Sequence, residues 1–219
     1  MRVGISIQAR LGSKRLPKKV LLPIGDKTIL EHIYERLLAV YEADSVYVCG
    51  AEGCTYVPGL RTSYGSENNL ISRHLTAALQ RDVDAIVRIT ADCLFHDPIL
   101  IDEAIESFRY TWPNVKAMSN WCKKRTWSEG VDFEIYSLDF LRKLEEDAKC
   151  PRENFAVYAS EQGLVTSWEG DYCDENLKLS IDTPSDYERA KWIMESIAGS
   201  YSYDATRHAA RRYDSLHPG

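Results

Sequence analysis

Val3-Gly-Ile-Ser-Ile-Gln-Ala9, running on into Arg10-Leu-Gly-Ser-Lys-Arg-Leu-Pro-Lys-Lys19, is the stretch that decides the fold. Its first half alternates, with Val3, Ile5 and Ile7 apolar, the pattern of a strand at the centre of a sheet. Its second half carries five basic residues in ten, in a chain of net charge −6. Gly12 and Ser13 let the backbone bend and present N–H groups. Backbone amides in a concave turn, with Arg and Lys clustered around them, can hold a polyphosphate. A solvated basic turn is the plain alternative, because charge runs commonly face water. Position argues for a site: open α/β sheets bind ligands beyond the carboxyl ends of their strands, and this run follows the first strand directly. Its spacing is neither that of a P-loop nor that of a G-x-G-x-x-G dinucleotide fingerprint.

Outward from this stretch, residues 28–41 read as an amphipathic helix through Ile29, Leu30, Ile33, Leu37 and Val40, capped by Asp26 or Thr28. Val46-Tyr-Val-Cys49 is a short strand, so strand, helix, strand opens a parallel sheet. Residues 50–64 are loop-like. A helix to about Gln80 follows, with Ser66 as N-cap and Asn69 at N3. Residues 84–90 form the next buried strand and deliver Asp92 just past its carboxyl end, where a ligand role and local capping are both open. Asp97 before Pro98 is a helix cap, and the helix runs to Tyr110.

Residues 115–120 read as a strand, and Trp121-Cys-Lys-Lys-Arg-Thr-Trp127 as a basic, aromatic loop on the substrate side or at an interface. Along residues 130–137, Asp132 and Glu134 share one strand face, either as a solvated edge or as a grip on a cationic group. Residues 138–148 and 153–162 read as helices. Leu177, Leu179 and Ile181 predict a strand that delivers Asp182. Thr183 then caps a helix opened by Pro184, with Asp186 near its positive end. Beyond Ile197 the pattern fades, and the tail reads as packing on a partner subunit or as loosely ordered.

With 219 residues, 44% hydrophobic and 27% charged, the chain is expected to fold as one α/β domain. Its expected bounds are residues 1–198, with 112–170 as a subsidiary lobe and 199–219 as a C-terminal extension. No apolar run approaches ~18 residues and no secretory h-region is read, so a cytoplasmic protein off the membrane is expected. The six cysteines are scattered without C-x-x-C, which suits reduced thiols. The acidic balance argues against nucleic acid as the main partner.

Ile7 to Lys19 resembles the signature loop of the cytidylyltransferases that make CMP-activated sugar acids, and within them the spore coat polysaccharide biosynthesis protein F (SpsF-like) branch. The likeness continues at Tyr64-Gly-Ser-Glu67, at Arg88-Ile-Thr-Ala-Asp-Cys93 with Asp97-Pro98, at Gly130-Val-Asp-Phe-Glu134 and at Ile181-Asp-Thr-Pro-Ser-Asp186. It covers most of residues 3–195, with 50–64 shorter than is usual in the family.

The resemblance implies a Rossmann-like nucleotidyltransferase fold (GT-A-like), a three-layer sandwich around a mainly parallel sheet. It implies CTP held by Ala9, Arg10, Gly12, Ser13, Lys14, Arg15, Lys19, Gly65, Ser66 and Asp92, and Mg²⁺ on Asp92 and Asp182. Arg10, Lys19, Asp92 and Asp182 form the implied catalytic set, and Arg73, Asp132 and Glu134 lie on the substrate side. A homodimer is also implied. The expected reaction joins CTP to an anionic acceptor, a sugar acid or a small phosphonate or phosphate, and releases pyrophosphate. Two other readings stand beside it. A nucleotide-sugar glycosyltransferase shares the fold type but is expected to carry an Asp-x-Asp motif, taken here as missing. A non-catalytic nucleotide-binding protein would bind CTP independently of Asp92 and Asp182.

Overall fold

The structure, a computed structural model, describes residues 1–217. Residues 218 and 219 of the expected C-terminal extension lie outside the described residues. The chain runs β1 (Val3–Ala9), the hairpin strands β2 (Pro23–Ile24) and β3 (Lys27–Thr28), α1 (Ile29–Leu37), β4 (Ser45–Ala51), β5 (Thr62–Gly65), α2 (Leu70–Gln80), β6 (Ala85–Thr90) and α3 (Pro98–Thr111). It continues with β7 (Ala117–Ser119), β8 (Phe133–Ser137), α4 (Leu138–Glu146), α5 (Phe155–Glu161), β9 (Thr166–Ser167), α6 (Pro184–Ser196) and α7 (Tyr203–Leu216).

Seven strands form one sheet in the order β5-β4-β1-β6-β8-β7-β9. β1 pairs in parallel with both β4 and β6, and only β8 runs against the rest. The central strand explains the layers. Val3, Ile5, Ile7 and Ala9 point into a core shared with α1, α3, α6 and α7. The opposite face of β1 is small and polar, Gly4, Ser6 and Gln8, and it lies beneath α2. A second apolar cluster, including Ile71, Ile86, Tyr136, Leu141 and Phe155, joins that face of the sheet to α2, α4 and α5. Burying roughly 1.5–3 kcal/mol per large aliphatic side chain on both faces makes the sheet the rigid middle layer of a sandwich.

The helix starts are specified locally. Thr28 and Glu31 form a reciprocal capping box on α1, and Thr183 and Asp186 form one on α6. Each cap is worth about 1 kcal/mol. Asp97 caps α3 with Pro98 in the first turn. α1 ends at Leu37, short of Tyr41, which is fully outside at 89% exposure. Turn bonds from Ala39 to Arg36 and from Val40 to Leu37 bend the chain so that Val40 still enters the core.

Four elements differ from their sequence reading. β5 is an edge strand inside the stretch read as a loop, paired with β4 through backbone alone. α2 begins at Leu70, and its cap is Asn69, whose own N–H donates to Ser66 Oγ. Residues 112–170 supply β7, β8 and β9 to the main sheet as well as α4 and α5. The segment through Leu177 and Ile181 makes one parallel bridge, Glu129 to Lys178, in place of a ladder. Beside that bridge Gly130 has a φ of +98°, and its missing Cβ leaves room for Ser180 N at 2.2 Å from that position.

The tail forms α7, which packs against α6. Tyr203, Thr206 and Ala210 are buried, and Arg207 and Arg211 both pair with the fully buried Asp174. Among the described residues no helix is long and apolar enough to cross a membrane.

Candidate active site

A cleft of about 590 Å³ opens at the carboxyl ends of β1 and β6. Arg10, Gly12, Ser13, Lys14, Arg15 and Lys19 line it from the basic loop, and Asp92, Asp182, Arg73, Glu67 and Asn68 line it from other elements. The loop is rooted by Leu16 and Val20, which are buried in the core, and Lys18 adopts a left-handed φ of 53° before a single 3-10 turn over Lys19–Leu21. Ser13 Oγ accepts the Leu16 N–H and stiffens the bend. Anchored apolar residues between exposed cations hold those charges over the cleft.

Lys19 is the exception, because it turns inward. Its side chain is 11% exposed, and Nζ donates to Asp92 Oδ2 at 2.7 Å, Asp182 Oδ1 at 3.0 Å and the Ile181 carbonyl at 2.9 Å. Two oxygens bonded to one ammonium lie within roughly 6 Å of each other, the sum of two hydrogen bonds. The backbone enforces this meeting, since Ile181 N–H donates to the Asp92 carbonyl at 3.0 Å. Arg15 reaches Asp182 Oδ1 at 2.9 Å from the solvent side.

Burial alone would raise the Asp92 pKa, but the Lys19 charge, its hydrogen bond and the Thr90 hydroxyl bring it below the ordinary carboxylate value. Burial would likewise lower Lys19, yet Asp92 and Asp182 lift it above the ordinary lysine value. Both groups are charged at neutral pH. Two carboxylates converging on one cation are a donor set that suits Mg²⁺, which takes one or two protein carboxylates and completes its octahedron with phosphate and water oxygens. Among the described residues there is no cluster of three or more His, Cys, Asp or Glu side chains suited to a metal. Two carboxylates alone would leave most of an octahedral shell to water or ligand oxygens.

The other expected residues fall into place unevenly. Ala9 contributes its carbonyl, which accepts the Tyr56 hydroxyl at 2.9 Å, so the short segment after β4 is clamped across the strand ends. Gly65 and Ser66 are not among the lining residues of the cleft; Gly65 packs on Arg73, where a Cβ would meet the Arg73 side chain at 3.0 Å. Arg73 is 2% exposed, and its Nε and Nη1 have no partner among the described residues.

Asp132 and Glu134 lie in a second cavity of about 270 Å³ that shares Arg88, Thr90, Glu153 and Asn154 with the first. Neither is a solvated edge, and each carboxylate already carries an arginine partner. β8 is an interior strand, and the register sets Glu134 directly opposite Arg88, which it binds through both oxygens at 2.9 and 2.8 Å. Trp121 Nε1 donates to the same carboxylate at 2.7 Å. Asp132 is gripped by Arg125, yet burial, with Glu134 and Glu129 adding to it, keeps its pKa above the ordinary value. The aromatic loop splits: Trp121 and Arg125 line this cavity, while Trp127 stacks on Trp168 in the core.

Sequence reading missed Gln8, Arg88, Glu153 and Asn154 as lining residues of the two cavities, while Trp121 and Arg125 fall on the loop it read as lying on the substrate side or at an interface. Gln8 and Arg88 carried a signal: each is a polar residue at the ligand end of a strand otherwise built for burial. The Cys93 thiol faces Asp92 Oδ1 at 3.7 Å, and burial followed by Asp92 and Asp132 pushes its pKa well up. The Asp-x-Asp spacing taken as missing does occur, at Asp82-Val83-Asp84, but it precedes β6 at the opposite edge of the sheet. There Asp84 accepts the Arg2 backbone N–H and Asp82 pairs with the Arg2 guanidinium.

A mainly parallel sheet flanked by helices on both faces, with a cationic loop and two convergent aspartates at one end of it, is the architecture of a nucleotidyltransferase. The family profile described as cytidylyltransferase matches residues 5–52. A cytidylyltransferase structure from Leptospira borgpetersenii is 33% identical, covers 99% of this chain and 96% of its own, and superposes with a TM-score of 0.89. Spore coat polysaccharide biosynthesis protein SpsF of Bacillus subtilis is 33% identical over 113 residues, 46% of this chain and 47% of SpsF. An 8-amino-3,8-dideoxy-manno-octulosonate cytidylyltransferase of Shewanella amazonensis is 29% identical over 120 residues, 50% of this chain and 48% of that protein. The match thus spans about half the length of each of these two relatives. The chain belongs to the cytidylyltransferase family.

Proposed function

We propose that this protein transfers CMP from CTP to an anionic acceptor, a sugar acid of the nonulosonic type or a small phosphonate or phosphate, and releases pyrophosphate with the help of Mg²⁺. The observation that carries this reading is the Lys19 ammonium held between Asp92 and Asp182 at the floor of a cation-lined cleft. Arg10, Lys14 and Arg15 offset the triphosphate charge and stabilise the departing pyrophosphate. The bend at Gly12 and Ser13 brings backbone N–H groups to the phosphates. Asp92 and Asp182 would hold the metal, which when bound supplies charge neutralisation at the α-phosphate.

Lys19 keeps the two carboxylates from repelling one another before the nucleotide arrives, and its charge remains beside the phosphate afterwards. The second cavity opens onto the first through Arg88 and Thr90 and is the place for the acceptor. Its walls set two arginine–carboxylate pairs, Arg88 with Glu134 and Arg125 with Asp132, beside the Trp121 indole, a polar wall with one apolar face. The names of the SpsF and octulosonate relatives support a sugar acid in polysaccharide assembly. We place the enzyme in the cytoplasm, as a homodimer.

The test is pyrophosphate release with each nucleoside triphosphate against a panel of acidic sugars, phosphonates and phosphates. CTP above UTP, and both pyrimidines above purines, is the expected order. Equal turnover of ATP and CTP would remove the cytidylyl assignment.

A further inference from the structure

Gln8 is the last polar side chain on the α2 face of β1, and it lines the cleft. Its amide is held from behind by two donors. Arg88 Nε lies 2.8 Å from Gln8 Oε1, and a guanidinium N–H can only donate, so the facing atom is the carbonyl oxygen. His74 Nε2 lies 3.2 Å from the same oxygen, so it carries its proton there. Its Nδ1, 2.8 Å from Ser6 Oγ, then accepts the serine hydroxyl. His74 is fully buried, and burial with Arg88 and Arg73 nearby drives its pKa well below the usual value, which keeps the ring neutral in this one tautomer.

The arrangement cannot turn over. Arg88 is fixed at its far end by the two Glu134 oxygens, and Glu134 is fixed by Trp121. Turning the Gln8 amide would set its NH₂ against two buried N–H donors, and each donor stranded in this way costs about 1–3 kcal/mol. The Gln8 NH₂ has no partner among the described residues, and it belongs to a side chain on the cleft wall.

We infer that Gln8 is a specificity-determining residue of this site, a one-way hydrogen-bond donor that tolerates only a ligand atom with a free lone pair. The inference rests on the cytidylyl transfer proposed above. Two ligand groups have this chemistry: the acceptor edge of the pyrimidine, and an oxygen of the anionic acceptor.

The discriminating variant is Gln8→Glu. It keeps an oxygen toward Arg88 and His74 and turns the outward donor into an acceptor. CTP affinity is measured by calorimetry, and acceptor KM and kcat by pyrophosphate release. A loss of roughly 10- to 100-fold is expected in one ligand only. Weaker CTP with unchanged acceptor KM assigns the base, and weaker acceptor with unchanged CTP affinity assigns the acceptor. A merely structural role would lower kcat and the melting temperature without favouring either ligand, and that result overturns the inference. So does a variant within about twofold of the wild type in both. Gln8→Met, which removes donor and acceptor at equal length, repeats the measurement where Gln8→Glu fails to fold. A ligand-selective loss again supports the inference, and unchanged affinities again overturn it. A wild-type protein that releases no pyrophosphate from CTP overturns the proposed function and this assignment with it. Normal wild-type turnover beside an unaffected Gln8→Glu overturns this assignment alone.

Discussion

Lys19 Nζ stands 2.7 Å from Asp92 Oδ2 and, with the same three hydrogens, reaches Asp182 Oδ1 at 3.0 Å. One ammonium from the N-terminal loop thus gathers two carboxylates that the chain delivers from β6 and from the segment before α6. The ammonium holds the point at which a divalent ion would neutralise the same two charges.

Removing that charge without changing length much, Lys19→Met, leaves two carboxylates facing each other. The free protein is then expected to bind Mn²⁺ about tenfold more tightly, because close like charges favour a counter-ion. Paramagnetic titration reads this directly. Unchanged metal affinity would mean that Lys19 does not compete for the site.

Arg10 lines the cleft from the exposed part of the loop and pairs with no carboxylate among the described residues. Arg10→Ala should weaken CTP by about tenfold, the loss of one charge-assisted contact worth roughly 1.5–3 kcal/mol. The gap between variant and wild type should shrink as salt is added. Calorimetry showing equal affinity would take the loop out of the site.

The Asp92 pKa is depressed on folding from an ordinary 3.8, so its stabilising bond to Lys19 is complete above that value and is lost as pH falls through the lower folded one. The Lys19 pKa is raised from an ordinary 10.5, so its share is complete below that value and is lost as pH rises through the higher folded one. In metal-free buffer, the stability difference between wild type and Asp92→Asn should therefore stay flat from about pH 5 to 9 and close only in stronger acid or base. Urea unfolding across pH measures it. A slope inside the neutral window would contradict the assigned charge states.

Gly130→Ala tests how Asp182 is placed. The added methyl would sit 2.2 Å from Ser180 N on a residue with φ of +98°, so the segment carrying Asp182 must shift. Catalytic turnover should fall by more than tenfold, with a stability cost of about 1–3 kcal/mol. A variant with normal turnover would show that this close packing does not position Asp182.

Much of this architecture was legible in the sequence, and the physics explains which parts. Apolar alternation in Val3, Ile5 and Ile7 placed the central strand, and the Thr28, Asp97 and Thr183 caps placed three helices, because these signals are local. Asp92 and Asp182 were legible as a pair because each follows an apolar run that ends at the ligand edge. β5 was hidden because Thr-Ser-Tyr-Gly shows no apolar pattern and pairs only through its backbone. The partners of Asp132 and Glu134 were hidden because periodicity assigns a face but not a neighbour. Only the antiparallel register of β8 on β6 sets Arg88 against Glu134. Gln8 was hidden for the same reason, since its bonding depends on α2 and β6 together.

The most direct test of the central claim is pyrophosphate release from CTP by Asp92→Asn and Asp182→Asn across a Mg²⁺ titration, with urea unfolding measured alongside. If both carboxylates hold the metal at the α-phosphate, each substitution lowers kcat by about a hundredfold or more. Each should change folding stability far less, with partial recovery at high Mg²⁺. Wild-type kcat and an unaltered Mg²⁺ dependence in either variant would contradict the account.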